Sequence, residues 1–313
     1  MMNKPNFFIV GAAKAGTTSI HYYLDQHPEI YMSPIKEPHY FSKDIRCKDF
    51  TQHDYIRASL DIKKYLSKNI LEKKHIAFIE NEIDYLDLFR DVNQEVRIGE
   101  ISNGYLFSKV AAKEIFEFNP NAKIIIVLRE PIERSFSHWI MDLRGRNVCR
   151  KSFLDAIKED QSIEEKGWGI THLYVELGQY YEQVKRYLDV FPRNQVQIMM
   201  YDDFKINAEF FFNQLFFFLE VSPKIIDGNK KINVAGIPKY PLINNIIKKS
   251  RINTITNKLL SSDKKQKIKL MLTNNTNLPS LTLDDRKALK NYYVNDVKML
   301  ENIIEIDLSR WLL

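Results

Sequence analysis

The stretch FFIVGAAKAGTTS, Phe7 to Ser19, joins four apolar residues directly to a glycine-bracketed loop. A short β-rich apolar run ended by glycine marks a buried strand. From Thr17 the pattern turns helical, with Ile20, Tyr23 and Leu24 on one face and His27-Pro28 at its end. Strand, glycine loop and helix open a βαβ unit. Such a loop offers backbone N–H groups and the positive end of a helix to an anion. Gly11 and Gly16 let the chain bend and approach closely, Lys14 adds a mobile charge, and Thr17 and Thr18 add hydroxyl donors. The nucleoside triphosphate loop GxxxxGK[ST] places its lysine directly after the second glycine. Here Thr17 follows Gly16, and Lys14 lies two residues before it.

Two further apolar runs extend the same plan. Lys123–Leu128 (KIIIVL) is continuous, as inside a parallel sheet, and Gln195–Met200 (QVQIMM) follows an amphipathic stretch, Tyr180–Phe191. Pro131 permits a helix start after the first of them, with Ile132, Phe136, Trp139, Ile140 and Leu143 as its apolar face. Weaker strands are expected at Ile30–Met32 and around Arg97–Glu100. Strands alternating with helices predict an α/β fold, a P-loop-type central parallel sheet with helices on both faces. The 313 residues are expected to form one domain, with an irregular polar insertion at about 43–78 and a basic helical lid or appendage at about 242–275. Between Lys248 and Lys269 lie eight Lys/Arg and one acid, Asp263.

The net charge of +6 favours anionic ligands but is too diffuse to name nucleic acid as a partner. Cys47 and Cys149 have no metal-ligand or CxxC spacing, which speaks against a zinc site or disulfide scaffold and fits a reducing compartment. The apolar run near the N-terminus is too short for a signal peptide or membrane span, and FFFNQLFFFL (Phe210 to Leu219) is interrupted by Asn213 and Gln214. A cytoplasmic protein without a transmembrane segment is the expectation.

Two other segments carry chemistry. In LREPIERSFSHW, Leu128 to Trp139, Arg129 leaves the carboxyl end of a core strand, where open α/β sheets bind ligands. Ser137 lies in the helix that follows, so arginine and hydroxyl can grip one phosphate from two sides; pairing of Arg129 with Glu130 or Glu133 is the plainer alternative. In KEPHYFS, Lys36 to Ser42, Glu37 and His39 share one face of an extended segment. Glu37 beside cationic groups is a candidate general base, with His39 orienting it or the acceptor.

Taken together, GAAKAGTTS, KEPHYF and LREPIERSFSHW resemble, in order and spacing, the sulfotransferases that use 3′-phosphoadenosine 5′-phosphosulfate (PAPS), in particular their bacterial and heparan-sulfate-type branch. GEISNGYL (Gly99–Leu106), LGQYYEQVKRYLDVFP (Leu177–Pro192) and the final YYVNDVKMLENIIEIDLSRWL are similar to further landmarks of that family. The resemblance implies that Lys14, Ala15, Gly16, Thr17 and Thr18 bind the 5′-phosphosulfate, and that Arg129 and Ser137 hold the 3′-phosphate. It further implies Glu37 as base, His39 as its neighbour in the acceptor site, and Lys239, in AGIPKYP, as a nucleotide contact. It implies in-line sulfuryl transfer to an acceptor hydroxyl of a glycan, oligosaccharide or glycolipid, with Lys14 stabilising the leaving phosphate and no metal required. Ile101 stands where heparan-type enzymes carry a lysine, which puts a heparan-like acidic acceptor in doubt. The other readings are a P-loop small-molecule kinase, which needs a lysine after Gly16 and an aspartate at a strand end, and a non-catalytic nucleotide- or glycan-binding protein.

Overall fold

The computed structural model describes residues 3–145, 151–226, 237–238, 273–274 and 278–312. Its centre is strand β1, Phe7–Gly11, whose residues are all buried. Phe7, Phe8, Ile9 and Val10 are fully enclosed, each worth about 1.5–3 kcal/mol of apolar burial. With β2 (Ile30–Met32), β5 (Arg97–Ile101), β6 (Lys123–Leu128) and β7 (Val196–Met200) it forms a five-stranded sheet ordered β2-β5-β1-β6-β7. Every pairing in it is parallel. The expected α/β fold is therefore present, and continuous apolar runs coincide with strands buried on both faces.

Helix α1, Thr17–Leu24, follows the glycine loop and buries Thr17, Ile20, Tyr23 and Leu24. The stretch 43–78 is not irregular. It holds α2 (Gln52–Ala58), α3 (Ile62–Leu66) and β4 (Lys74–Ile76). Thr51 and Asp61 cap the two helices by accepting the amides of Asp54 and Lys64. Such short elements carry too few residues to show a period, which is why the sequence pattern missed them. Strand β4 pairs in parallel with β3, Ile35–Glu37, in a separate two-stranded sheet, with Glu37 opposite Ile76. The remaining helices are α4 (Glu82–Asp87), α5 (Gly104–Phe107), α6 (Ala111–Phe118), α7 (Pro131–Gly145), α8 (Phe153–Gln161), α9 (Tyr181–Val190), α10 (Tyr201–Ile206) and α11 (Ala208–Leu219). A further long helix spans Leu283–Ile304.

The phenylalanine-rich α11 divides its faces: Phe211, Phe212, Leu215, Phe216 and Leu219 are buried, whereas Phe210 and Phe217 are exposed. Among the described residues no helix is long and apolar enough to cross a membrane. Lys239 and the basic stretch Lys248–Lys269 lie outside the described residues.

Candidate active site

Three loops meet at the carboxyl edge of the sheet, after the adjacent strands β5, β1 and β6. The loop after β1 folds with Lys14 at φ 73° and Gly16 at φ 79°. A side chain at position 16 would meet the Tyr201 ring at 2.5 Å, so glycine is required by conformation and by contact alike. The amides of Ala12 and Ala15 are used by Val127 and Ala12 carbonyls, and that of Ser19 by Gly16. Among the described residues no backbone acceptor meets the amides of Gly16, Thr17 or Thr18, which stand at the start of α1 as free anion donors. Ala15 and Thr17 are buried, and Thr18 is half-buried.

Lys14 Nζ lies 3.4 Å from Met141 Sδ on α7. Burial, followed by the positive charges of Arg129 and Arg144, lowers its pKa to about 8, with Asp142 opposing. A lysine so depleted of counter-charge favours an arriving anion. Arg129 leaves β6 and donates from Nη1 to the Lys14 carbonyl and from Nη2 to Glu133 Oε2, both at 3.1 Å. Its guanidinium stacks 4.9 Å from the Tyr201 ring centroid, and its buried Nε has no partner among the described residues. The alternative left open by the sequence is thus realised in part: Glu133 holds Arg129, whereas Glu130 instead accepts the amides of Ile132 and Glu133 at the start of α7. Ser137 lies four residues after Glu133 on α7, one turn further along the same face of the helix.

On the other side, β3 ends at Glu37. Oε1 accepts from Lys36 Nζ at 2.5 Å and from Asn103 Nδ2 at 2.9 Å, and Oε2 lies 3.4 Å from His39 Nε2, an ion-pair distance. Burial disfavours the charged form of Glu37, but Lys36, His39 and His75 outweigh it and hold the carboxyl well below the usual range. The extended segment ends before His39, which sits at φ 52°. The two side chains therefore meet across a turn and not along a strand, a different route to the contact the sequence implied. Gly104 makes room: a side chain at position 104 would strike the His39 ring at 2.7 Å.

Behind this pair lies a buried carboxylate that sequence reasoning did not single out. Glu100 accepts from the Tyr85 and Tyr105 hydroxyls at 2.7 and 2.8 Å and from Ser102 Oγ at 2.7 Å. Ser102 Oγ in turn accepts the His39 amide, and the Tyr105 hydroxyl accepts that of Phe41. Burial pushes Glu100 up to about 7, against those donors. Lys36, Asn103, Tyr201 and Glu100 were also missed as site groups. Two of them, Asn103 and Glu100, lie in GEISNGYL, and Lys36 is the residue before Glu37.

One edge of the parallel sheet thus gathers a lysine-bearing glycine loop, a strand-end arginine and a buried carboxylate held low by its cationic neighbours. The sequence profile of the Sulfotransferase family matches residues 5–222, more than half of the chain, and the protein belongs to that family. It is similar to carbohydrate sulfotransferase 15 of Mus musculus, 24% identical over 256 residues that make up 70% of this chain and 44% of the relative. It is likewise similar to the bifunctional heparan sulfate N-deacetylase/N-sulfotransferase 3 of Homo sapiens, 24% identical over 62% of this chain and 20% of the relative. The chain thus spans less than half the length of these relatives. A sulfotransferase crystal structure from Alicyclobacillus acidocaldarius superposes with a TM-score of 0.68 and 28% identity, covering 99% of each chain.

Proposed function

We propose that the protein moves the sulfuryl group of PAPS to a hydroxyl of a glycan or glycolipid, releasing 3′-phosphoadenosine 5′-phosphate (PAP). The observation that supports this most is that a lysine-bearing anion loop and a buried, ionised glutamate flank one sheet edge, from strands β1 and β3. Lys14 and the amides of Gly16, Thr17 and Thr18 meet the 5′-phosphosulfate. Arg129 and Ser137 meet the 3′-phosphate, with Arg129 Nε available for it. In the transfer the acceptor oxygen attacks sulfur in line, the bond from sulfur to the bridging oxygen breaks, and the electron pair leaves on the 5′-phosphate. Glu37 takes the acceptor proton while His39, packed against it, keeps the carboxylate aimed.

A sugar acceptor is favoured by the rings around His39. Phe78 stacks on it at 4.5 Å and 5°, Trp168 lies 6.0 Å away, and Phe107 lies 6.1 Å from Trp168. Phe78, Phe107 and Trp168 are half-buried and offer apolar surface beside the base, suited to the C–H face of a pyranose. Trp168→Ala is expected to raise the acceptor KM about tenfold, the worth of ~1.4 kcal/mol of apolar burial, with PAP affinity unchanged. An unaltered acceptor KM removes Trp168 from the acceptor site.

The donor is tested by incubating the protein with a neutral oligosaccharide panel and either PAPS without metal or ATP with magnesium, with PAP release and product mass as readouts. Sulfated product from PAPS is expected; phosphorylated product from ATP overturns the reading. For Arg129→Ala, calorimetry is expected to show PAP binding weakened about 10- to 100-fold, from loss of a charge-assisted contact worth ~1.5–3 kcal/mol. Unchanged PAP affinity rejects the assignment of Arg129 to the 3′-phosphate.

A further inference from the structure

The candidate site holds one buried carboxylate to which the proposed transfer gives no part. Glu100, on β5, is fully enclosed, as are the three residues whose hydroxyls it accepts, Tyr85 on α4, Tyr105 on α5 and Ser102. Tyr85 and Tyr105 share its Oε1, and Ser102 takes Oε2. Each of these three in turn engages one of three consecutive residues that follow close on Glu37. Ser102 Oγ accepts the His39 amide at 3.2 Å, the Tyr85 ring stacks on that of Tyr40 at 4.4 Å and 13°, and the Tyr105 hydroxyl accepts the Phe41 amide at 3.3 Å. Asn103 and Gly104, between Ser102 and Tyr105, complete the support. Asn103 Nδ2 donates to Glu37 Oε1, and the His39 ring lies against Gly104 where a side chain would strike it.

A carboxylate suits this place because of where the hydrogens go. In its ionised form Glu100 is an acceptor only. Ser102 and Tyr105 each carry one hydroxyl proton and spend it on Glu100, so each presents a lone pair to a backbone N–H, of His39 and of Phe41. Bonds in such chains polarise and strengthen one another. His39 needs the hold: at φ 52° it sits in the left-handed region, which a non-glycine residue keeps only where its surroundings impose it. The seat of its ring in turn sets the 3.4 Å from Nε2 to Glu37 Oε2.

We infer that Glu100 is a positioning residue of the transfer: through Ser102, Tyr85 and Tyr105 it holds His39, Tyr40 and Phe41 in their turn and so keeps the Glu37 carboxylate aimed at the acceptor. The role rests on the sulfuryl-transfer reading, in which Glu37 is the base. Glu100 itself exchanges no proton with the reactants and touches neither donor nor acceptor. Glutamine at this position isolates one arm of the arrangement. Its carbonyl oxygen keeps both tyrosines, which share one oxygen of Glu100, but its amide nitrogen then faces Ser102 as a donor. The Ser102 proton loses its acceptor, and the hydroxyl is free to rotate away from the His39 amide.

The test compares wild-type protein with Glu100→Gln, Ser102→Ala and the double variant. Thermal unfolding, PAP calorimetry and steady-state transfer from PAPS to a neutral oligosaccharide are measured, with kcat counted per PAP-binding site. Each single substitution is expected to lower kcat about 10- to 100-fold, as a misplacement of ~1 Å at a reacting group does. PAP affinity and acceptor KM are expected to stay within about threefold, because Lys14 and Arg129 follow other strands. The double variant is expected to stay within about threefold of the slower single one, since both substitutions cut the same link. A folded Glu100→Gln with kcat within threefold of wild type overturns the role, as does a loss confined to PAP affinity or acceptor KM. So does a double variant whose loss approaches the product of the single losses, the mark of two independent effects. If Glu100→Gln does not fold, Ser102→Ala decides on the same kcat and affinity criteria. Wild-type protein that neither binds PAP nor forms it from PAPS overturns the sulfuryl-transfer reading itself, whereas wild-type turnover with an indifferent position 100 overturns only this inference.

Discussion

Glu37→Gln is expected to lower turnover by about 10²–10⁴-fold, the usual contribution of a positioned general base. Glutamine keeps the size of the side chain and an oxygen for Asn103, but it cannot take the acceptor proton. The complication lies in Lys36, whose ammonium is buried against Glu37 Oε1. Neutralising one partner of a buried pair leaves the other charge uncompensated and destabilises the fold. The paired variant Glu37→Gln/Lys36→Met separates the effects: stability recovers, activity does not. Turnover within tenfold of wild type in either variant denies Glu37 the role of base. Lys36 also sets how basic Glu37 is. Lys36→Met alone removes the principal charge that holds the Glu37 carboxyl low, so the acid limb of kcat/KM is expected to move to higher pH.

Lys14→Ala is expected to lower kcat by about 10²–10³-fold, or ~2.7–4 kcal/mol of transition-state stabilisation, because on the proposed reading negative charge develops on the leaving oxygen beside this ammonium. The same lysine predicts a basic limb. Its pKa is lowered to about 8 in the nucleotide-free protein, and the protonated form is the one that binds an anion. The rate constant kcat/KM is therefore expected to be level below that pH and to fall as pH rises through it. In the nucleotide complex the bound phosphate favours the ammonium, so the limb in kcat lies higher. A Lys14→Ala variant with near-normal turnover, or a wild-type kcat/KM that stays level to pH 10, contradicts this assignment.

The glycine-loop side of the candidate site was legible in the sequence because it is local. Gly11, Lys14, Gly16 and Thr17 follow one another, and the apolar runs before them and before Arg129 are strands buried on both faces, a pattern that needs no tertiary information. The Glu37–His39 side was less so. Glu37 and His39 were singled out, but the parallel partner strand β4 and the left-handed turn at His39 depend on contacts 39 residues and more away, such as Glu37 with Ile76. The same holds for Glu100, an acid in a strand pattern whose meaning comes from Tyr85, Ser102 and Tyr105 closing around it. Periodicity reports burial along one element, whereas these groups are defined by several elements at once.

The sheet order β2-β5-β1-β6-β7 hangs the two halves of the site from opposite neighbours of β1. Arg129 and α7 follow β6, while Ser102, Asn103 and Gly104 follow β5 and support the turn of Glu37 and His39. On the proposed reading, substitutions in the loops after β3 and β5 reshape the side that would meet the acceptor while the loops after β1 and β6, which would hold the donor, keep their own supports.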